Sequence, residues 1–166
     1  MIVYLPDQKI MRIDFLDTHS KRFTACNRVM VEDAVRLFLY SFPPLFLRML
    51  SFREFVAAKI GLKTANGRTA ILKEIESFRG KPGEKIALFE VWKREENTIV
   101  TGQQDKHLDF ALVFTVEQDR HTCLVSLTTA VQINSSLGKV YFFLVRPFHS
   151  LIMPLVVKRL ALALAS

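Results

Sequence analysis

The clearest candidates for chemistry are three polar residues that alternate along one short stretch of the chain. Asp105, His107 and Asp109 are two residues apart, so on a regular strand they would share one face. Two carboxylates and an imidazole can bind a divalent metal ion, or can act as a base and the group that orients it. A solvent-facing polar row is the competing interpretation, because the opposite face of the strand is apolar. We therefore expect no metal and no cofactor, with these residues as the candidates if a metal binds.

Two further candidates lie in the apolar C-terminal region. His149 follows Pro147 and Phe148. It is either a polar contact for a ligand, with a pKa lowered by burial, or a histidine that hydrogen-bonds to the backbone at a proline kink. Tyr141 has a similar pair of interpretations, since its phenol can orient a ligand or reach the surface from a buried ring.

Glu90 and Trp92 are two residues apart and share one side of a predicted strand. If that side is concave, Glu90 is a buried carboxylate that needs a partner, and Arg146 or Lys139 would suit. If the side is convex, Glu90 is simply exposed. The sequence does not distinguish these two arrangements.

No motif for nucleophilic catalysis is present. No serine lies in a nucleophile-elbow context, and no local Cys–His motif occurs. The glycines around Lys81 lack the spacing of a phosphate-binding loop. Cys26 and Cys123 are far apart in apolar settings, so we expect two free, buried thiols.

Helices are predicted in the first half of the chain, after a strand over Arg12–Phe23. Apolar residues recur every three or four positions in Val31–Phe42, which predicts a helix. Pro43 and Pro44 end this helix and begin a second. Its apolar stripe is Leu45, Met49, Phe52, Val56 and Ile60. Thr69–Phe78 is a weaker candidate for another helix.

Four strand-like runs follow in quick succession: Lys85–Arg94, Thr98–Gln103, His107–Glu117 and His121–Asn134. The links between them are short and permit only antiparallel neighbours, so the pattern predicts a meander. In the third run Phe110, Leu112 and Phe114 lie on one strongly apolar face.

The C-terminal segment predicts one long helix that begins near Leu137, capped by Asn134–Ser136. It is apolar almost all round up to Leu164, and such a helix is normally buried on most sides. Pro147 and Pro154 are predicted to kink or restart it. Charged and polar side chains divide it into apolar runs shorter than the roughly 18 residues of a membrane span, so we expect no span.

Charge and composition restrict the function class. The chain has 166 residues, half of them hydrophobic, and a net charge of +7, which predicts one domain with a sizeable core. No acidic residue follows Asp119. That cationic region suits an anionic ligand head or an anionic membrane surface, or is an ordinary solubilising surface; its singly scattered charges disfavour nucleic acid. The N-terminus lacks a secretory signal pattern, so we expect a cytoplasmic protein.

Three groups of residues resemble the bacterial family called domain of unknown function 2867. They are Leu50–Arg53 with Ile60–Lys63, Asp105–Phe110, and Gly138–Tyr141 with Pro147–His149. The order of elements also resembles the helix-grip fold of the Bet v 1/START-like (SRPBCC) superfamily. The chain differs from the family at Ala111, where an arginine is common, and at Ser41–Pro44, in place of a tryptophan-rich stretch.

The resemblance implies an α+β domain over residues 1–166, with 1–10 as an N-terminal extension. A curved antiparallel sheet would grip the long C-terminal helix, with two short helices after the first strand. The superfamily commonly holds lipids, sterols, polyketides or other apolar molecules between sheet and helix.

Our leading hypothesis is therefore binding of an apolar or amphipathic, lipid-like small molecule, with or without an anionic head, in that cavity. The expected lining residues are Glu90, Trp92, Phe110, Leu112, Phe114, Tyr141, Leu144, Arg146, Phe148 and His149. The alternatives are an enzyme of the cyclase or hydrolase kind in the same cavity, and a protein- or membrane-interaction module that uses the cationic apolar C-terminus. A homodimer remains open.

Overall fold

The long C-terminal helix packs on one face of an antiparallel sheet. The structure, a computed structural model, describes residues 12–24, 27–41 and 68–166, with side chains from residue 72 onward in the last range. Its elements are β1 (Phe15–Thr24), α1 (Val31–Tyr40), α2 (Arg68–Ser77), β2 (Lys85–Ile86), β3 (Phe89–Glu95), β4 (Thr98–Gln103), β5 (Leu108–Asp119), β6 (Thr122–Ile133) and α3 (Ser136–Ala165). The six strands form one curved sheet in the order β1-β6-β5-β4-β3-β2. The predicted α+β, helix-grip architecture is confirmed.

The two faces of the sheet have different partners, because side chains alternate along each strand. Phe110, Leu112 and Phe114 of β5 point toward the helices and belong to the main core, Phe110 as a half-buried residue at its edge. On the opposite face Ala111 and Ala130 form a small separate cluster under Trp92. We call the first the helix-side face and the second the open face.

The predicted first strand of the meander is divided into β2 and β3. A turn at Ala87 separates them, and Ala87 has a positive φ of 54°. Its amide donates a hydrogen bond of 2.8 Å to Glu74 Oε2, which holds the turn against α2. The register between β3 and β4 also shifts between Val91 and Lys93, so Trp92 occupies a bulge.

Helix α1 is fixed by its apolar side and by two arginines. Phe38 is 3% exposed and packs its ring edge-on against Phe114, at 5.2 Å between centroids. Arg36 donates to the carbonyl of Phe78 at 2.6 Å, and Arg94 of β3 pairs with Glu32 at 2.7 Å. The predicted helix thus begins at Val31 and ends two residues early, whereas the predicted second helix at 45–60 lies outside the described residues.

Helix α3 is continuous over 30 residues and does not restart at Pro147 or Pro154. Ser135 caps it by accepting a hydrogen bond of 3.1 Å from the amide of Gly138. Its C-terminal half is buried in the main core against the sheet and α1 through Met153, Val156, Val157, Leu160 and Ala161.

The solvent side of α3 bears on two sequence-based expectations and corrects the one on burial. By length and composition the helix could cross a membrane, despite the charges that interrupt its apolar runs. Only 17% of the 18-residue stretch that is apolar enough to span a bilayer is buried, so α3 is not covered on most sides. The helix nevertheless has a packed side, because Phe142 and His149 contact Phe15 of β1.

The start of α3 is held against the turn that precedes β5. His107 Nδ1 lies 2.8 Å from Ser135 Oγ, and the His107 carbonyl accepts from the Asn134 amide at 3.0 Å. The same carbonyl oxygen lies so close to Gly138 that a Cβ there would collide with it. A glycine is therefore required at this position by contact with the neighbouring backbone.

Gly138→Ala should lower the free energy of unfolding by about 2 kcal/mol, because the added methyl group overpacks a rigid backbone contact. This sign is opposite to the usual effect, since alanine within a helix is normally more favourable than glycine by about 1 kcal/mol. Urea unfolding followed by circular dichroism measures the difference. Ser150→Ala, at an exposed position of the same helix, should change stability by less than about 0.5 kcal/mol. A Gly138→Ala protein as stable as the wild type would contradict the close approach of α3 to this turn.

Candidate functional site

A cluster of polar side chains lies between the sheet and the N-terminal half of α3. Asp17 and His19 alternate on β1, and Asp17 is directly opposite Thr129 of β6. His149 reaches this row from α3. Because cross-strand partners share a face, Asp17, His19 and Thr129 all lie on the helix-side face.

Asp17 lies between two imidazoles. His19 Nε2 is 3.0 Å from Asp17 Oδ2, and His149 Nδ1 is 3.6 Å from the same oxygen. His149 Nε2 is 3.2 Å from Thr129 Oγ1, within hydrogen-bonding distance. The side chains of His149 and Asp17 are 16% and 24% exposed, so both remain partly reachable by solvent.

Burial affects the charge of His149. Desolvation lowers the pKa of His149 below its ordinary value, the Asp17 carboxylate acts in the opposite direction, and His19 lowers it further. Burial therefore favours the neutral form of the His149 imidazole. Its Nδ1 is buried and forms no hydrogen bond with any described residue. A neutral imidazole beside a carboxylate can accept or donate a proton.

Two more buried polar atoms on the helix-side face lack a hydrogen bond. They are Thr101 Oγ1 and Gln103 Oε1, both on β4, and no described residue pairs with either atom. The strand register places Thr101 opposite Leu112, which is in turn opposite Thr129. Thr101 and Thr129 therefore flank one leucine, two strand spacings or roughly 10 Å apart.

Aromatic side chains lie near His149 and Gln103 on this face. Phe15 contacts Phe142 at 5.1 Å and His149 at 5.7 Å between ring centroids, and Arg146 lies 5.5 Å above the Phe15 ring. Phe110 packs against Phe89 at 5.6 Å. The arrangement is an apolar surface with a few inward polar groups, which is the usual composition of a small-molecule site. We call this set the inner site: Phe15, Asp17, Thr101, Gln103, Phe110, Thr129 and His149.

Several residues predicted to line a pocket do lie on the helix-side face. Phe110 and His149 belong to the inner site, and Leu112 lies beneath it at 5% exposure. Phe114 shares the face but is closed off by Phe38 of α1. Tyr141 is half-buried on α3.

Other predicted lining residues are corrected by the structure. Glu90 is opposite Gly102, which is opposite Ala111, so Glu90 lies on the open face. Trp92 packs over Ala111 and Ala130 on the same open face. Neither contributes to the space between sheet and helix.

On α3, Leu144 and Phe148 are 60% and 47% exposed on the solvent side, away from the sheet. Arg146 is exposed at the flank of the helix, next to Phe15. A helix that is apolar all round gives no periodicity from which its inward side can be chosen, and this accounts for the misplaced residues.

The row Asp105, His107 and Asp109 has a structural role. Asp109 is 7% exposed, and its carboxylate accepts from the Asp105 amide at 2.8 Å and from Asn134 Nδ2 at 2.9 Å. His107 hydrogen-bonds to the cap of α3. Among the described residues, no group of three or more His, Cys, Asp or Glu side chains is arranged to hold a metal ion. These residues join the turn before β5 to the start of α3.

Sequence reasoning missed Phe15 and five polar residues of this region: Asp17, His19, Thr101, Gln103 and Thr129. One signal was available, because Asp17 and His19 alternate on the first predicted strand as an acid and a histidine on one face. No comparable signal marks the two threonines and the glutamine. Their orientation depends on the register of neighbouring strands.

Cys123 lies in the core and contributes nothing to this site. Cys123 is 0% exposed on β6, and its burial raises the pKa of the thiol. No described residue forms a disulfide with it. Cys26 lies outside the described residues.

The lowered pKa of His149 predicts a pH-dependent stability. The unfolded chain, with a histidine pKa of about 6.5, binds more protons than the folded protein below neutral pH. The free energy of unfolding should therefore fall as the pH falls below about 7. His149→Gln removes this pH dependence. The amount by which the free energy of unfolding of the wild type exceeds that of His149→Gln should therefore shrink between about pH 7.5 and 5.5.

Urea unfolding at each pH measures this difference. His121→Gln, at an exposed turn position, is the control and should run parallel to the wild type. A constant difference between wild type and His149→Gln across the pH range would contradict burial of a neutral imidazole.

Comparison with known proteins gives a family. No curated protein is significantly similar to the chain. The family model described as protein of unknown function (DUF2867) matches residues 10–156, which is most of the sequence. The match includes the motif residues around His107 and Gly138 whose contacts are described above. The chain belongs to the DUF2867 family.

Proposed function

We propose that this protein binds a lipid-like, amphipathic small molecule at the inner site, between the sheet and the N-terminal half of α3. One observation carries the proposal. Three buried polar atoms on one apolar surface, Thr101 Oγ1, Gln103 Oε1 and His149 Nδ1, have no hydrogen-bond partner among the described residues.

The energetic cost of those atoms supports a ligand. A buried polar group without a partner destabilises a fold by about 1–3 kcal/mol. Valine has nearly the shape of threonine and would avoid that cost at Thr101. A polar group that becomes paired when a ligand enters accounts for a hydroxyl at this position, since binding sites commonly give up stability for function.

The chemistry of the inner site favours a neutral polar head. Gln103 presents a carbonyl oxygen, which needs a donor, and His149 Nδ1 can donate or accept. Asp17 is close to His149, so a carboxylate head would meet a like charge. A hydroxyl both donates and accepts, and we therefore propose an alcohol or similar neutral head on an apolar body, in place of the anionic head.

The fold supports the same class of ligand. We place the family in the Bet v 1/START-like superfamily, because a curved antiparallel sheet and a long C-terminal helix are combined as in a helix-grip fold. In such an arrangement the apolar body of the ligand would lie against Phe15, Phe110 and Phe142. Burial of apolar area would supply most of the affinity, at about 25 cal/mol per Å² before ordering costs.

Thr101→Val should raise stability and weaken binding. Removal of an unpaired buried hydroxyl should increase the free energy of unfolding by about 1 kcal/mol. The matched control is Thr128→Val, a buried threonine on the open face whose hydroxyl is 2.9 Å from Thr18 Oγ1. That control should lose about 1 kcal/mol, because it breaks a hydrogen bond, and should bind as the wild type does.

Decanol and decanoate are suitable probes, since they share one chain and differ in the head group. Decanol should raise the thermal midpoint of the wild type and of Thr128→Val more than that of Thr101→Val, and decanoate should act more weakly. Native mass spectrometry of the purified protein checks for a co-purifying molecule. A protein that carries no such molecule and responds to neither probe would rule the proposal out.

Proton transfer on the bound molecule is a second candidate function. The observation that favours it is the position of Asp17 Oδ2, 3.0 Å from His19 and 3.6 Å from His149. In this version His149 is the base and Asp17 orients it and stabilises its protonated form. A molecule recovered from His149→Gln and Asp17→Asn proteins should then be the unconverted form of the one recovered from wild type. Identical molecules from all three proteins would exclude proton transfer, and ligand binding would then be the only supported function.

A further inference from the structure

We propose that the solvent side of α3 docks on an anionic lipid surface, with the helix lying in the plane of the membrane interface. The surface is defined by exposed apolar residues of the helix: Leu137, Val140, Phe143, Leu144, Phe148, Leu151, Leu155 and Leu162. We call them the outer stripe. This proposal does not depend on the inner site, since none of the eight residues belongs to it.

The outer stripe is too continuous to be ordinary surface. Phe143 and Leu151 are 77% and 72% exposed, and Val140 and Leu144 are each 60% exposed. Most members recur at three or four residues, so they lie along one side of the helix, opposite the residues that enter the core. From Leu137 to Leu162 the stripe extends over roughly 38 Å. Single exposed apolar side chains are common, but a contiguous row of this length indicates an interaction surface.

The charges beside the stripe identify an anionic partner. The charged residues of α3 are Lys139, Arg146, Lys158 and Arg159, and all four are basic and exposed. Lys158 and Arg159 lie beside the outer stripe, whereas Lys139 and Arg146 lie toward β1, near Asp14 and Phe15. No acidic residue follows Asp119 in the sequence. A helix that exposes Leu and Phe on one side, has Lys158 and Arg159 beside that side and carries no acidic residue suits the surface of an anionic bilayer.

A second copy of the chain fits the outer stripe less well. Two identical helices paired through this side would carry only basic charges, and the helix contains no acidic residue to form an ion pair across the contact. An anionic bilayer supplies both an apolar layer and negative charge. The charge pattern therefore favours lipid over self-association.

An in-plane orientation follows from the other side of the helix. Met153, Val156 and Leu160 are buried in the core, and His149 contacts Thr129 and lies close to Asp17. A helix that crossed the bilayer would have to separate from these strands. Docking in the plane buries the outer stripe and leaves the sheet contacts intact.

Vesicle flotation of the full-length protein tests this proposal. The protein should float with vesicles of phosphatidylcholine and phosphatidylglycerol in equal parts, and far less with phosphatidylcholine alone. Binding should weaken as salt is raised, because the electrostatic part is screened. Phe143→Ser and Leu151→Ser should each weaken binding roughly ten-fold or more, since each removes a large apolar side chain from the contact.

Leu16→Ser is the matched control, because Leu16 is 48% exposed on β1, away from α3. It should float as the wild type does, and all three variants should keep the wild-type thermal midpoint and response to decanol. Flotation that is equal for wild type and the outer-stripe variants overturns the proposal. So does a dimer in solution that Phe143→Ser and Leu151→Ser dissociate without any lipid binding. Resistance to alkaline extraction from vesicles would show a spanning helix and would also overturn it.

Discussion

The contact between α3 and the strands β1 and β6 is the constraint on which the rest of this structure depends. Gly138 allows the helix to begin against the His107 carbonyl, and the C-terminal half then enters the core through Met153 and Val156. Because both ends are fixed, the direction of each α3 side chain is determined. Its N-terminal half must present one side to Asp17 and Thr129 and the other to solvent.

The local features of the fold were predictable from sequence. Strand β4 has the predicted bounds, α1 begins at the predicted Val31, and α2, β5 and β6 differ by one or two residues at their ends. Short links and side-chain alternation are enough for an antiparallel meander. The bulge at Trp92 and the turn at Ala87 were not predicted, because each is fixed by contacts with a neighbouring element.

The inner site was much less predictable. His149 was identified because a histidine is conspicuous in an apolar segment, but its partners lie on strands 20 and 132 residues earlier in the chain. Thr101 and Gln103 have no unusual sequence context, and only the register of β4 with β5 turns them toward the helix. The motif around His107 was easy to find because its residues are close together in sequence. In the structure they contact the start of α3.

The N-terminal half of α3 reverses the usual distribution of a surface helix, and this reversal connects the two proposals. His149 is directed inward, where burial disfavours its charged form, while Phe143 and Leu151 are directed outward, where they gain nothing from the hydrophobic effect. In an ordinary surface helix the phenylalanine and leucine would face the core and the histidine would face solvent. The fixed contacts of α3 preserve the arrangement at a cost in stability. That cost is offset if the polar head of a ligand binds on the sheet side of α3 and an apolar surface covers its solvent side. A lipid surface outside and an amphipathic molecule inside would meet both requirements with one helix between them.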